Sequence, residues 1–572
     1  MARKQSQNGD RDAVAKPPPS VGPLYRPPIS ALPLQDQEGL YLQLFRTHTA
    51  RELSGFFDSL FWTRSVLQAC HSETTIRHAV VALGALYKTM EEAHDSPPNS
   101  PAGSPRPESR AAAHWQVAVN QYSEAIKSAV VLQGQNQRPH RTLLMASVLL
   151  ACFDSFVGDF KQGITQIQNG LRLLEKVRVN SQDSYFPIED ELTQMFTRLA
   201  IQAKSYDMAF HFPKPFVIRL NSELPETPGS PPSEATTPSS ASTHHATLPL
   251  EFMSLVEARI AWDKLAERML RFNETLFDFH NQTGPMGILP RHLKQYGRGF
   301  KNQIECWSDA FEPILASRSG PIVSFQEKAA IAVLKMFQIM GQILFLMTFS
   351  DSESAFDMFE PQFKTIVELA LELVGDEERR AAVQRCSDPT QCNHRSRMPE
   401  FFGGHEYSAY HVKPSFSADM GIIPPLYVVA TKCRNHMIRR QAIQLLRSSS
   451  RREGMWDSQL CARIGVWVTS IEEEEDPVPS PDASTKSRNS SVDFGDNVPL
   501  GPGGNARWEL RRKSIPGLPG RPTKRSVPEE KRVMVQSVDF DLQARFAKLS
   551  VGTRGIQPNA PDLRSRQTQI SW

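Results

Sequence analysis

Thiols, imidazoles and carboxylates are the groups in this chain that could do chemistry, and their spacing restricts what they could do. The densest cysteine–histidine cluster is CSDPTQCNH, with Cys386, Cys392 and His394, and His405 follows nearby. Tetrahedral zinc is held from tight turns, and C-x5-C is wider than the usual gap of about two to four residues, so the cluster reads as a polar loop rather than a metal centre. Cys70–His71 and Cys433 with His436 are the pairs in which a thiol could be activated. Neither sits in a glycine elbow or beside an acid partner. The chain has no G-x-x-x-x-G-K-[ST] loop and no strand followed by G-x-G-x-x-G to cradle a phosphate. The carboxylate pairs Glu91–Glu92 and Glu377–Glu378 fall at helix ends expected to be solvated. The reading is no enzyme, no catalytic residue, no metal and no cofactor.

Charge is more informative than nucleophiles. The chain carries a net charge of only +3, but residues 477–572 hold 16 Lys/Arg against 9 Asp/Glu, a local +7 that leaves the remainder at −4. Within that tail Arg511, Arg512 and Lys513, then Lys524 and Arg525, flank a spacer containing Pro516 and Pro519. This is the layout of a bipartite nuclear-import signal, in which basic residues enter the acidic grooves of an import receptor; a basic tail can also produce it by chance. In IRRQAIQLLRSSSRREG, Ile438, Ile443 and Leu446 interleave with Arg439, Arg440 and Arg447. That predicts an amphipathic helix whose charges line a wet face or a surface that pairs with acidic helices, rather than touching phosphates. Glu472–Asp476 (EEEED) ends a helix where the dipole opposes negative charge, so it reads as a fraying, solvated stop, with an acidic activation patch as the alternative. Ser491-Val492-Asp493-Phe494 recurs as Ser537-Val538-Asp539-Phe540. The second copy leads into DLQARFAKL, a candidate short helix that folds on a partner, against the plainer reading of a random tail.

The elements that would position these groups are helices. In Gly55–Met90 a dense aromatic turn (Phe56, Phe57, Phe61, Trp62) precedes Ile76, Ala79, Val80, Leu83, Tyr87 and Met90 at helical spacing. Ahead of it, Leu40, Leu44 and Phe45 share one helical face, with Gly55 as a stop. Trp115, Val119, Tyr122 and Ile126 form a further predicted stripe. Arg141–Val177 reads as two helices joined near Gly158, the second burying Ile164, Ile167, Leu171 and Leu174. This pair looks like a tetratricopeptide-type hairpin, although no repeat of about 34 residues stands behind it. Ala329–Phe349 is nearly continuous apolar sequence interrupted by Lys335, Gln338 and Gln342, and reads as a buried core helix rather than a membrane span. No run alternates apolar and polar residues between hairpin turns, so no sheet is expected. Seven cysteines scattered singly, and an N-terminus without an apolar core, predict a reducing intracellular compartment.

Composition divides the chain. Residues 1–35 form a polar, proline-rich, disordered lead-in. Residues 36–220 are an N-terminal helical half with a linker at 95–108. Residues 221–248 are a disordered Ser/Pro linker, 249–476 a C-terminal helical half and 477–572 a disordered basic tail. The fold class is all-α: a large irregular helical bundle with disordered N-terminal, central and C-terminal segments.

Two blocks resemble the regulatory domain of the fungal zinc-cluster (binuclear six-cysteine) transcription factors. The first carries Phe57–Ser59, Phe61–Trp62 and Ile76–Tyr87, including Arg77 and His78. The second carries Pro425–Tyr427, Lys432–Arg434, Ile438–Arg440, Leu445–Leu446, Arg451–Gly454 and Trp456–Ser458. The similarity spans residues 36–476, and Arg439, Arg440, Arg451, Arg452 and Trp456 match as structural positions. The family's DNA reader is a six-cysteine zinc cluster, whereas the first cysteine here is Cys70, so no metal-binding or DNA-contacting residue carries over. The resemblance implies a nuclear transcription regulator, for instance of a secondary-metabolite pathway. It would work through co-regulators or a DNA-binding partner, meeting DNA only indirectly or through a missing N-terminal module, with no membrane role and a homodimer left open. The alternative is a helical scaffold or adaptor without a transcriptional role.

Overall fold

The computed structural model describes residues 36–57, 59–94, 107–134, 139–180, 190–210, 248–283, 291–350, 352–386, 409, 411–473, 527–542, 544–554 and 561–572. The N-terminal half opens with α1 (Asp36–Leu44), a π-helical turn (Phe45–Thr49) and α2 (Ala50–Ser54), which ends at Gly55 with φ +64°. Tyr41, Leu42 and Phe45 face inward, and Leu40, expected inside, is 57% exposed. A second π turn (Phe61–Ser65) and α3 (Val66–Ser72) lead into α4 (Thr74–His94). The predicted stripe on α4 is buried from Ile76 to Tyr87, with Met90 partly so, and Val81, Ala82, Ala85 and Leu86 are buried too, because neighbours cover the helix from several sides. At Gly84 a Cβ would lie 2.3 Å from the Tyr41 carbonyl oxygen; only glycine permits α1 to cross that closely.

α5 (Pro107–Gln133) lies along α4, but not on the line the sequence suggested. Ala118 and Ala125 are fully buried, Tyr122 and Ile126 partly, while Trp115 and Val119 stay 38% and 37% exposed. Small residues at the crossing let the helices approach, and polar pairs fill the margin, among them His78 Nδ1 with Gln121 Oε1 at 2.6 Å. α6 (His140–Val157) and α7 (Phe160–Asn180) form the expected antiparallel pair. The turn between them is Gly158, φ +94°, whose N–H donates to the Asp154 and Ser155 carbonyls. α8 (Asp190–Phe210) begins with Asp190 and Glu191, as predicted for a helix N-terminus.

The C-terminal half holds α9 (Leu255–Thr283), α10 (Arg291–Ser317), α11 (Phe325–Met347), a 3-10 turn (Glu353–Phe359) and α12 (Glu360–Arg385). α6 and α11 are long and apolar enough to cross a bilayer, but 72% and 67% of those stretches is buried inside the protein. α13 (Ile423–Lys432), α14 (His436–Ser448) and α15 (Ser458–Glu472) complete the helical body.

The expectation of no sheet is corrected twice. β1 (Ser415–Ser417) runs parallel to β2 (Arg451–Glu453), which pairs antiparallel with β3 (Trp456–Asp457) across a turn at Gly454, φ +57°. Strands of two or three residues are too short to show alternation. The second sheet lies within what was expected to be a disordered tail: β4 (Met534–Asp541), β5 (Phe546–Gly552) and β6 (Arg566–Ser571) form an antiparallel sheet in chain order. The DLQARFAKL segment is therefore the turn and second strand of a hairpin, not a helix. A bulge between Val535 and Ser537 puts Val535 and Val538 three residues apart on the buried face, which hides the period of two from the sequence. The sheet docks on the N-terminal half through Phe540, whose ring lies 4.8 Å from that of Phe160, and through Leu542 over Gly158.

Candidate interaction site: the arginine-anchored C-terminal block

Of the arginines expected on a wet face, Arg440 and Arg447 are exposed and Arg439 is not. Arg439 is fully enclosed: its Nη2 donates to Glu472 Oε2 at 2.5 Å and its Nε to the Cys433 carbonyl at 2.5 Å. Arg434 Nη2 bridges Glu472 Oε1 at 2.7 Å and Glu353 Oε2 at 2.9 Å. Glu353 also receives Lys432 Nζ at 2.9 Å and Arg554 Nη1 at 3.2 Å. The first residue of the EEEED run is thus not a solvated stop. Glu472 is 1% exposed and also accepts the Val533 backbone N–H at 3.0 Å, while Glu473 pairs with the exposed Arg440. Burial pushes the Glu353 carboxyl up, but Lys432, Arg434 and Arg554 outweigh it and hold it at about 2.

This network joins four elements: the 3-10 turn, the α13–α14 connection, the end of α15 and the entry to the C-terminal sheet. Arg532 reinforces it with a bidentate contact to Asp357 at 3.0 and 2.7 Å, and Arg554 donates to the Ser350 and Met347 carbonyls that end α11. Removing one partner from such a buried set leaves an uncompensated charge, so its members stand or fall together.

Glu453 closes the neighbouring turn. Its carboxylate accepts the backbone N–H groups of Gly421, Ile422 and Ile423 at 2.8–3.0 Å, capping α13, which starts with Pro424 and Pro425 in its first turn. Burial pushes this carboxyl up to about 7, against the pull of those donors and of Arg451. Arg451 reaches Glu377, and Arg452 holds Asp457 and the Phe156 carbonyl at the end of α6. The Trp456 indole is packed edge-on against Tyr206 and Tyr427. The Arg451-Arg452-Glu453-Gly454 segment forms the turn from β2 to β3 and also ties the two halves together.

In the N-terminal block, Phe57 packs against the Phe337 ring and under the Arg259 guanidinium, 4.1 Å from the ring centroid. Arg259 in turn pairs with Asp263 and Asp419, and Asp263 also takes Arg198. A cavity beside this cluster, lined by Ser54, Trp62, Arg198 and Asp419, has room for no more than a water molecule. Trp62 is 1% exposed, and Arg77 caps α3 by donating to the Cys70 and His71 carbonyls.

The cysteines of the two pairs weighed as nucleophiles, Cys70 and Cys433, are buried. Burial pushes the thiols of Cys70 and Cys433 up to about 12 despite nearby arginines. Of the CSDPTQCNH cluster only Cys386 lies among the described residues, and it packs against His411. Cys392, His394 and His405 lie outside them, as do the import residues Arg511, Arg512, Lys513, Lys524 and Arg525 and the first Ser-Val-Asp-Phe copy. Glu378, expected to be solvated, is 8% exposed. Among the described residues no group of three or more His, Cys, Asp or Glu is arranged to hold a metal ion. Sequence reasoning missed Glu353, Arg532 and Arg554, and read Glu472 as solvated. Their only signal was a set of charges flanking apolar runs, which a solvated surface shares.

The fold and site define a mainly helical protein with clustered arginines spent on internal pairing and a C-terminal sheet clasped by that pairing. The chain is similar to the aspercryptin biosynthesis cluster-specific transcription regulator atnN of Emericella nidulans, with 22% identity over 470 residues that cover 72% of this chain and 70% of that protein. No family model matches the chain. No solved structure matches it either.

Proposed function

We propose that this protein is a fungal transcription regulator of pathway-specific type, built on the helical regulatory domain of the zinc-cluster factors. The observation that carries this reading is the length of the similarity to atnN, which runs through most of both chains and so includes the helical body rather than one motif. The protein acts in the nucleus, reached through Arg511–Lys513 and Lys524–Arg525, and it contributes binding rather than catalysis. Its buried arginines support a body that meets DNA through a partner factor or a separate zinc-cluster module, since Arg434, Arg439 and Arg451 are committed to carboxylates. Its direct partners are then co-regulators and the import receptor.

Two measurements test this. A fluorescently tagged chain should be nuclear and should lose that location when the five basic residues become alanine. Transcript profiling of a deletion strain should show loss of a contiguous group of metabolic genes. Cytoplasmic residence with an unchanged transcriptome would leave an adaptor role instead.

A further inference from the structure

Cys386, His411 and Glu378 form a chain of contacts that the regulatory reading does not use. Glu378 and Cys386 lie two turns apart at the C-terminal end of α12. His411 enters between them from the segment leading into β1. Its Nδ1 is 2.5 Å from Glu378 Oε1, its Nε2 is 3.0 Å from Cys386 Sγ, and its backbone N–H donates to Glu378 Oε2 at 3.0 Å. The turn carrying His411 is pinned: Ala409 N–H donates to the Ser448 carbonyl and Val412 N–H to Ala409. His411 and Glu378 are buried, Cys386 is half-buried, and no disulfide engages it.

A carboxylate on Nδ1 fixes the ring and favours its protonated form, which then presents Nε2–H to the sulfur. A cation in contact with a sulfur favours the thiolate, the nucleophilic form, over the thiol. The C-terminus of α12 opposes negative charge at Cys386, but that field is diffuse and weaker than a direct contact with an imidazolium. Of the other charged groups at this end of α12, Arg385 is cationic, Asp376 pairs with Arg379 and Glu377 pairs with Arg451. Cys70, Cys152, Cys433 and Cys461 are buried, so they do not compete for a reagent.

We propose that Cys386 is a modification site for small carbon electrophiles of the α,β-unsaturated carbonyl class, activated by His411 and Glu378. The thiolate sulfur bonds to the β-carbon as the C=C π bond breaks. The electron pair moves onto the carbonyl oxygen as an enolate, and the imidazolium returns a proton to give the saturated thioether. No oxidant is required. The adduct takes Cys386 out of its contact with His411, loosening the tie between α12 and the segment before β1.

N-ethylmaleimide, a member of this class, tests the site on the full-length protein, with peptide mass spectrometry reading each cysteine. Cys386 should label at least about tenfold faster than the exposed Cys306 near pH 6.5, and its rate should change little up to about pH 8 while that of Cys306 climbs as for an ordinary thiol. His411→Asn should bring Cys386 down to the Cys306 rate and slope; Glu378→Gln should fall between. Equal rates and slopes for the two cysteines in the unaltered protein would overturn the proposal whatever the variants do. So would stoichiometric zinc in the purified protein that shields Cys386.

Discussion

The N-terminal block around α4 and the C-terminal block around α13–α15 are held together by different physics. Around α4 the contacts are apolar and close: Ile76, Val80 and Leu83 are fully buried and Gly84 lets α1 touch the helix backbone. Around α14 the interior is ionic, with Arg434, Arg439, Glu353 and Glu472 all at most 6% exposed. A dry interface weakens in proportion to what is removed from it. An ionic one fails abruptly, because each partner left behind is a desolvated charge.

The comparison breaks hardest at Glu472. Glu472→Ala strands Arg434 and Arg439 and should cost about 3–5 kcal/mol in urea unfolding. It should also release the C-terminal sheet, read as faster proteolysis after Val527. Leu83→Ala, in the dry block, should cost about 3 kcal/mol and leave that proteolysis rate unchanged. A pH series separates the blocks next. Glu353 is held at about 2, below its unfolded value, so its contribution is complete above about pH 4.5 and disappears as pH falls through 2. The gap between the unaltered protein and Glu353→Gln, roughly 3 kcal/mol at neutral pH, should therefore close on acidification over that window. Glu453→Ala uncaps α13 and should cost about 2 kcal/mol by thermal unfolding. Arg440→Ala breaks only the exposed pair with Glu473 and should change stability by less than about 0.5 kcal/mol. An Arg440 effect as large as that of Glu472 would erase the distinction between the two faces of α14.

The same contrast governs how much could be read in advance. The α4 stripe, the α6–α7 pair with its joint at Gly158 and the buried α11 were legible, because apolar periodicity reports a face that must leave water. Trp115 and Val119 misled because helix crossings favour small residues over large ones, so Ala118 and Ala125 took the contact. Arg439 misled for the opposite reason: its type predicts solvent, and only the partner, Glu472, 33 positions away, makes burial tolerable. The bulge in β4 concealed a strand. A tight turn of long-range pairs, such as Glu378 with His411, has no local signature at all.

The clasp on the C-terminal sheet has a topological consequence. Glu472 and the Val533 amide meet at 3.0 Å, so two points 61 positions apart in the chain are held together. Both basic clusters fall in the sequence between these two points, so the residues on either side of them are held by one body. Cleavage anywhere between the two points would yield two polypeptides that still co-purify, and the fragments expressed separately should find each other and reassemble.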